Sequence, residues 1–487
     1  MTISEIHAGY KAGLFSVSEI VERSLHSFSD HAHLNTAITL CEEKARLRAA
    51  TLDVQLQNSS IRENLPPLFG IPLGVKDVLQ LQDERMTCAS KILDDYISPF
   101  TATAVQRAID NGAIPIAKLN CDEFAMGSSN ESSAYGPVRN PVHAGYIPGG
   151  SSGGSASAVG AGLVPTAFGT DTGGSIRQPA ALCGVYGLKP TYGRVSRYGL
   201  AALASSLDQI GPFATCVRDI AVVMEVISGP DARDATTSHT PLPSLQEHAE
   251  SPSAQLRIGV PKEYFSDVID ASISSRIRRL IEMLSNDGAE IREVSLPRSS
   301  YALATYYLIQ PAEASSNLAR YDGIRFGHRV PYTDAKEGVS AYERSLRMTR
   351  AEFGPEVRRR IMLGTYVLSA GYAEAYYRRA LKVRRLITQD FLNAFEKCDI
   401  ILGPTSPCLA WKLGEKADPL TMYMADMYTV AINLAGLPAM SVPVGKGVNA
   451  HGDSLPIGVQ LIAPHWREDV LIKVSAQIEK YSWEKTS

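Results

Sequence analysis

Two glycine-rich turns and one lysine hold the residue types that could cleave an acyl bond. The first turn is Pro148-Gly-Gly-Ser-Ser-Gly-Gly-Ser-Ala-Ser157 and the second is Asp171-Thr-Gly-Gly-Ser-Ile-Arg-Gln-Pro179. Consecutive glycines let the backbone approach a ligand closely, so the N–H groups of Thr172, Gly173 and Gly174 could converge on a developing oxyanion, with Ser175 presented beside them. A serine hydroxyl is a weak nucleophile and needs a base. The ten histidines are scattered, and none stands in a recognisable Ser-His-Asp context. The better candidate base is Lys76, which ends the apolar run Gly70-Ile-Pro-Leu-Gly-Val. A lysine must be neutral to accept a proton. Lowering its pKa from ~10.4 to about 7 takes about 4 kcal/mol, which desolvation in an apolar site can supply.

Each segment also has a plainer reading. A Gly/Ser run is the composition of a flexible linker, although this one is followed directly by apolar Ala156 to Val164. Gly150 to Gly154 fits G-x-S-x-G, the nucleophile elbow, but that elbow needs a strand before the serine, and His143 to Gly149 is turn-like. The Thr172 to Ser175 turn could equally hold a phosphate, yet no G-x-x-x-x-G-K-[ST] accompanies it. Lys76 could be a solvated lysine closing a strand. The residues alone leave these readings open.

Elements to position such a site are legible in the surrounding pattern. Gly70 to Val75, Ala113 to Leu119 and Leu163 to Gly169 read as buried strands, with a helix over Ala102 to Asn111. Leu256 to Pro261, Ser272 to Ser285 and Glu290 to Leu296 read as a β-α-β unit. Asp399 to Leu402, Met440 to Val444 and Ile457 to Ile462 are further candidate strands. This alternation predicts an α/β fold: a large, mostly parallel sheet covered by helices on both faces. Residues 1–60 read as helical, with a Ser16/Glu19 capping box and a helix over Glu42 to Gln57. Thr236 to Ala254, rich in Ser, Thr, Pro, Glu and His, reads as a surface excursion within a single domain spanning 1–487.

Composition narrows the function classes. Lys and Arg number 48 against 51 Asp and Glu, and no basic run with interleaved aromatics stands out as a nucleic-acid groove. Any RNA is therefore expected to be gripped by another chain. The N-terminus lacks the signature of an export signal, and no apolar stretch reaches spanning length. Seven scattered cysteines without a C-x-x-C pair signal neither zinc nor disulfides. The expectation is a cytoplasmic protein with reduced thiols, no metal and no membrane.

Lys76, the GGSSGGS run and DTGGSIRQPA, in that order and spacing, resemble the amidase signature family from about Gly70 to Pro212, and the similarity continues toward the C-terminus. The resemblance implies a large mixed sheet, Ser175 as nucleophile, Ser151 as a bridging serine in a cis peptide after Gly150, and Lys76 as base. Lys118 to Ser129, Gln310 to Arg325, Arg359 to Thr365 and Asp418 to Asp426 are further similar to the glutaminase subunits of aspartyl/glutamyl-tRNA amidotransferases. Cys121 stands where those subunits usually carry methionine. That likeness implies hydrolysis of glutamine and delivery of ammonia to companion subunits B and C. No cofactor is expected in this chain; ATP and magnesium belong to the partner, as does most contact with misacylated tRNA. Glutamine's carboxylate needs a guanidinium and its amine a carboxylate. The resemblance assigns these to Arg360 and Asp426, with Ser128 as a further substrate contact. The alternatives are a free-standing amidase for acyl or aryl amides and a silent scaffold subunit. The intact Lys76, Ser151 and Ser175 set speaks against the scaffold.

Overall fold

In the computed structural model, all eight apolar runs read above as strands are strands. They are β2 (Pro72–Lys76), β3 (Ile114–Leu119), β4 (Thr166–Asp171), β7 (Arg257–Pro261), β8 (Glu290–Val294), β9 (Ile400–Pro404), β10 (Ala439–Val448) and β11 (Ser454–Ile462). Three more join them: β1 (Ala37–Leu40), β5 (Tyr186–Lys189) and β6 (Gln209–Ala214). The structure describes residues 1–250, 256–265, 268–329, 339–416, 418–481 and 483.

Among the described residues, these eleven strands form one sheet in the order β1-β3-β2-β4-β6-β5-β10-β11-β9-β7-β8. The mixed α/β character is as expected, but parallel pairing does not predominate. Only β3-β2-β4 and β9-β7-β8 run parallel, and the six other neighbouring pairs are antiparallel. Three of those pairs, β4-β6, β6-β5 and β5-β10, arise because β5 and β6 intervene; β5 has only four residues and β6 carries Gly211 and Pro212, so neither shows the long β-branched run that marks a strand.

Both faces of the sheet are buried, and the period of two shows it. Ile400, Leu402, Met440 and Leu461 pack into one apolar cluster, while their neighbours Ile401, Ala439 and Ile462 pack into another. Helices Ala271–Asn286 and Glu468–Glu479 supply the first cluster; helices Ala302–Asn317 and Arg379–Phe395 supply the second.

The N-terminal segment is not wholly helical. Ser16 and Glu19 form the expected capping box and Glu42–Leu56 is a helix, but β1 lies between them and pairs antiparallel with β3. Of the expected surface excursion, 236–250 is described and ends in a helix, Leu245–Glu250, whose Leu245 is fully buried against the core. Residues 251–254 lie outside the described residues.

Candidate active site

The parallel pairing of β2 with β4 builds the centre of the site. Lys76 is the last residue of β2 and Asp171 the last of β4, so both segments leave the same edge of the sheet side by side. Carboxyl ends of adjacent parallel strands are where open α/β sheets place their ligands.

Lys76 is completely buried, and its Nζ lies 2.8 Å from Ser151 Oγ, 2.8 Å from Ser152 Oγ and 2.9 Å from Thr170 Oγ1. Among the described residues it has hydroxyl partners and no carboxylate partner. Burial pushes its pKa down to about 8, against the pull of surrounding acidic groups. Ser152 commits its own proton to the Thr170 carbonyl at 3.1 Å, so toward Lys76 it can only accept. When the amine is neutral it has two donors and one lone pair. Ser152 and Thr170 can take the donors, leaving the lone pair for the Ser151 hydroxyl.

The Gly150–Ser151 peptide is cis, as the resemblance implied. Glycine is required here by crowding: a Cβ on Gly150 would sit 2.1 Å from Asp122 Oδ2. The Gly150 N–H donates to Gln178 Oε1 at 2.9 Å, and the Ser152 N–H donates to the Ser175 carbonyl at 3.3 Å. These bonds tie the two glycine-rich turns together and bring Ser151 beside Ser175, which is partly exposed.

The second turn is wound around Asp171. Its carboxylate accepts from the N–H groups of Gly174 (2.8 Å) and Ile176 (3.2 Å), from Arg177 Nε and Nη2 (3.0 and 3.1 Å), and from Asn433 Nδ2 (2.8 Å). Burial alone would raise the Asp171 pKa, but the Arg177 guanidinium outweighs it and holds the carboxyl well below the usual range. One of the three expected oxyanion donors has a partner inside the turn. The Gly174 N–H is committed to Asp171, which leaves those of Thr172 and Gly173. Gly174 instead serves the turn: its φ is +131°, and a Cβ there would meet Thr429 Oγ1 at 2.3 Å.

The three expected substrate contacts also converge. Ser128 Oγ lies 2.9 Å from both carboxylate oxygens of Asp426, and Tyr307 OH lies 3.1 Å from one of them. Burial raises the Asp426 pKa to about 7, opposed by the Ser128 hydroxyl and Arg360. Arg360 donates through Nε to Glu356 (2.8 Å) and through Nη1 to Gln310 (2.9 Å). Its guanidinium lies over Tyr307 and Tyr423, 5.4 and 5.5 Å from the ring centroids. Tyr307 thus touches both charges. The link to the serines is short: Gln178, which holds Gly150, also donates to the Ser128 carbonyl at 2.9 Å. An open cavity of about 610 Å³ borders these residues at Gly127, Ser129, Glu356 and Met422, and its lining does not include Ser175.

Ser152, Thr170, Asp171, Tyr307, Gln310 and Glu356 are site residues that the sequence reading did not single out. Asp171 lies in the quoted DTGGSIRQPA motif, and Ser152 in the Gly/Ser run, so adjacency was their only signal. Tyr307 and Glu356 gave none, because their parts arise from how separate helices meet.

A fold with both faces buried, a fully enclosed lysine on a cis-linked serine and a second serine on a glycine turn define an amide-cleaving enzyme. The amidase family profile matches residues 19–472, and the chain belongs to that family. It is 48% identical over 481 residues to the A subunit of the glutamyl-tRNA(Gln) amidotransferase from Chromohalobacter salexigens, covering 98% of this chain and 96% of that one. The protein of the same description from Roseiflexus castenholzii is 53% identical over 449 residues, covering 91% of this chain and 89% of the relative. The crystal structure of the corresponding protein from Thermotoga maritima superposes with a TM-score of 0.80 at 42% identity, covering 99% of this chain and 95% of the other. Among the described residues, no helix is long and apolar enough to cross a membrane.

Proposed function

We propose that this chain is the glutaminase subunit of a cytoplasmic, tRNA-dependent amidotransferase. Ser175 Oγ attacks the side-chain amide carbon of glutamine as its proton passes to Ser151 and the Ser151 proton passes to neutral Lys76. The N–H groups of Thr172 and Gly173 meet the oxyanion. Collapse breaks the C–N bond, and the proton returns through Ser151 to the leaving nitrogen, releasing ammonia and a glutamyl ester on Ser175. Water, activated by the same relay, then frees glutamate. Arg360 and Asp426 hold the carboxylate and amine of glutamine, with Ser128 steadying Asp426. Companion subunits B and C carry the tRNA and use ATP and magnesium to transfer the ammonia onto Glu-tRNA(Gln), Asp-tRNA(Asn) or both.

The observation that carries this reading is the buried Lys76 Nζ, 2.8 Å from Ser151 Oγ and, among the described residues, hydrogen-bonded to hydroxyls alone. Its test is the native complex supplied with glutamine, ATP and misacylated tRNA. Amidated tRNA together with one glutamate per turnover is expected. Hydrolysis of simple acyl amides without any use of glutamine would overturn the reading in favour of a free-standing amidase.

A further inference from the structure

Arg360 lies on the buried face of helix Pro355–Leu368, together with Val357, Gly364 and Val367. The opposite face carries a second stripe at helical spacing. Arg359, Met362, Leu363 and Tyr366 stand at i, i+3, i+4 and i+7, which is the spacing of a face meant to be covered. It is open instead: Met362 is 72% exposed, Tyr366 49% and Leu363 38%. The stripe continues onto the following turn, where Tyr366 packs against Tyr372 and Tyr376, with centroids 4.6 and 6.3 Å away, and those two rings stack on each other. Tyr372 and Tyr376 are themselves 42% and 38% exposed.

The charge along this part of the chain is lopsided. Residues 341–386 contain eleven basic and four acidic side chains, a formal net charge of +7 in a chain of net −3. The segment Tyr376-Tyr-Arg-Arg-Ala-Leu-Lys-Val-Arg-Arg385 carries five of these basic residues directly after two tyrosines. Arg358, Arg379, Lys382 and Arg385 are exposed and in no ion pair among the described residues. Ten of the eleven basic residues are arginine. Arg, Tyr and Met are enriched in protein interfaces while Lys is depleted, and the bare apolar stripe suits a protein better than a phosphate backbone.

We infer that this face, Met362, Leu363, Tyr366, Tyr372 and Tyr376 with their arginine rim, docks a companion protein subunit through an apolar patch bordered by acidic side chains. The inference rests on the proposed function for the existence of a companion. The dock lies on the back of the helix that presents Arg360, so the partner would brace the glutamine-binding side chain from behind.

The test uses the native complex, with the chain tagged and expressed beside its companion subunits, and compares wild type with Met362→Asp and Tyr366→Ala. Both substitutions are on exposed positions away from the proposed chemistry. Each isolated variant should keep the wild-type melting temperature and basal glutamine hydrolysis. In the complex, Met362→Asp should weaken association at least tenfold, about the loss of one hot-spot contact, and Tyr366→Ala should weaken it in the same direction. Wild-type association by both variants overturns the inference. Normal assembly with weakened binding of tRNA to the complex also overturns it, and would assign the face to RNA. Self-association of the isolated chain that both variants abolish would assign it to a second copy instead. A wild-type chain that joins no companion subunit would count against the proposed function itself.

Discussion

Lys76 and Lys118 are two lysines on neighbouring parallel strands, both completely buried, with opposite fates. The register pairs Lys76 with Leu119 and Lys118 with Val75, so their side chains leave opposite faces of the sheet. On its face Lys118 meets Asp77 at 2.7 Å, and Asp77 is further held by Thr87. On the other face Lys76 meets hydroxyls. The same contrast separates Asp171, paired with Arg177, from Asp426, which has hydroxyl partners and is pushed up to about 7. A buried charge with its counter-ion is scaffold; one left without it is drawn toward neutrality, where it can exchange protons or receive a substrate's charge.

The largest effect expected on the chemical side is from Ser175→Ala. Glutamine hydrolysis should fall by at least about 10³-fold with no change in melting temperature, because in the proposed mechanism the hydroxyl is the attacking atom and little else depends on it. Activity within tenfold of wild type, or acyl capture on another residue, would remove Ser175 from its assigned role.

Substituting the two lysines sharpens the contrast directly. Lys118→Met leaves Asp77 buried without its counter-ion and should cost about 3–5 kcal/mol of stability by chemical denaturation. Lys76→Met removes a charge that burial disfavours. It should cost less than about 2 kcal/mol while abolishing hydrolysis. If both variants lost the same stability, the distinction between paired and unpaired lysines would not hold.

At the recognition end, Asp426→Asn should impair glutamine far more than an amide lacking the amine. The charge-assisted contact is worth about 1.5–3 kcal/mol, roughly 10- to 150-fold in kcat/KM. Arg360→Gln should discriminate in the same way against loss of the carboxylate. Equal losses on both substrates would make these residues structural.

A further effect is on stability. The folded Asp426 pKa of about 7 lies above its unfolded value of ~3.9, so the folded state binds the extra proton and its stability falls as pH rises through that window. Asp426→Asn should therefore be more stable than wild type above pH 7, and the advantage should vanish below about pH 4. Melting curves at pH 8 and pH 4 check the sign.

The sequence was informative where chemistry sits in short segments. Ser175 and Lys76 were candidates because a glycine turn and an apolar strand end each leave a local mark, whereas the role of Ser151 came only with the family resemblance. Which lysine is unpaired was not readable, since Lys118 ends an equally apolar run and only the sheet register separates the two. The bond from the Gly174 N–H to Asp171 was not readable for a similar reason: sequence does not say which N–H groups a nearby Asp171 will take. In the fold, β1, β5 and β6 escaped notice because they are short or carry Gly and Pro, and with them went the antiparallel middle of the sheet. The excess of basic residues over 341–386 was not singled out because most of it is distributed along several helices, and sequence does not say which of those side chains reach the surface.

The whole mechanism depends on Lys76, held near neutrality by burial, being the base behind Ser151 and Ser175. The most direct test is the pH dependence of kcat/KM on an amide lacking the amine, which takes Asp426 out of the profile, for wild type and Lys76→Arg. Wild type should show an ascending limb with its midpoint near pH 8, because only the neutral amine accepts a proton. Lys76→Arg should be as inactive as Lys76→Met at every pH, since a guanidinium stays protonated. An arginine variant within tenfold of wild type, or one with the same ascending limb, would contradict the account.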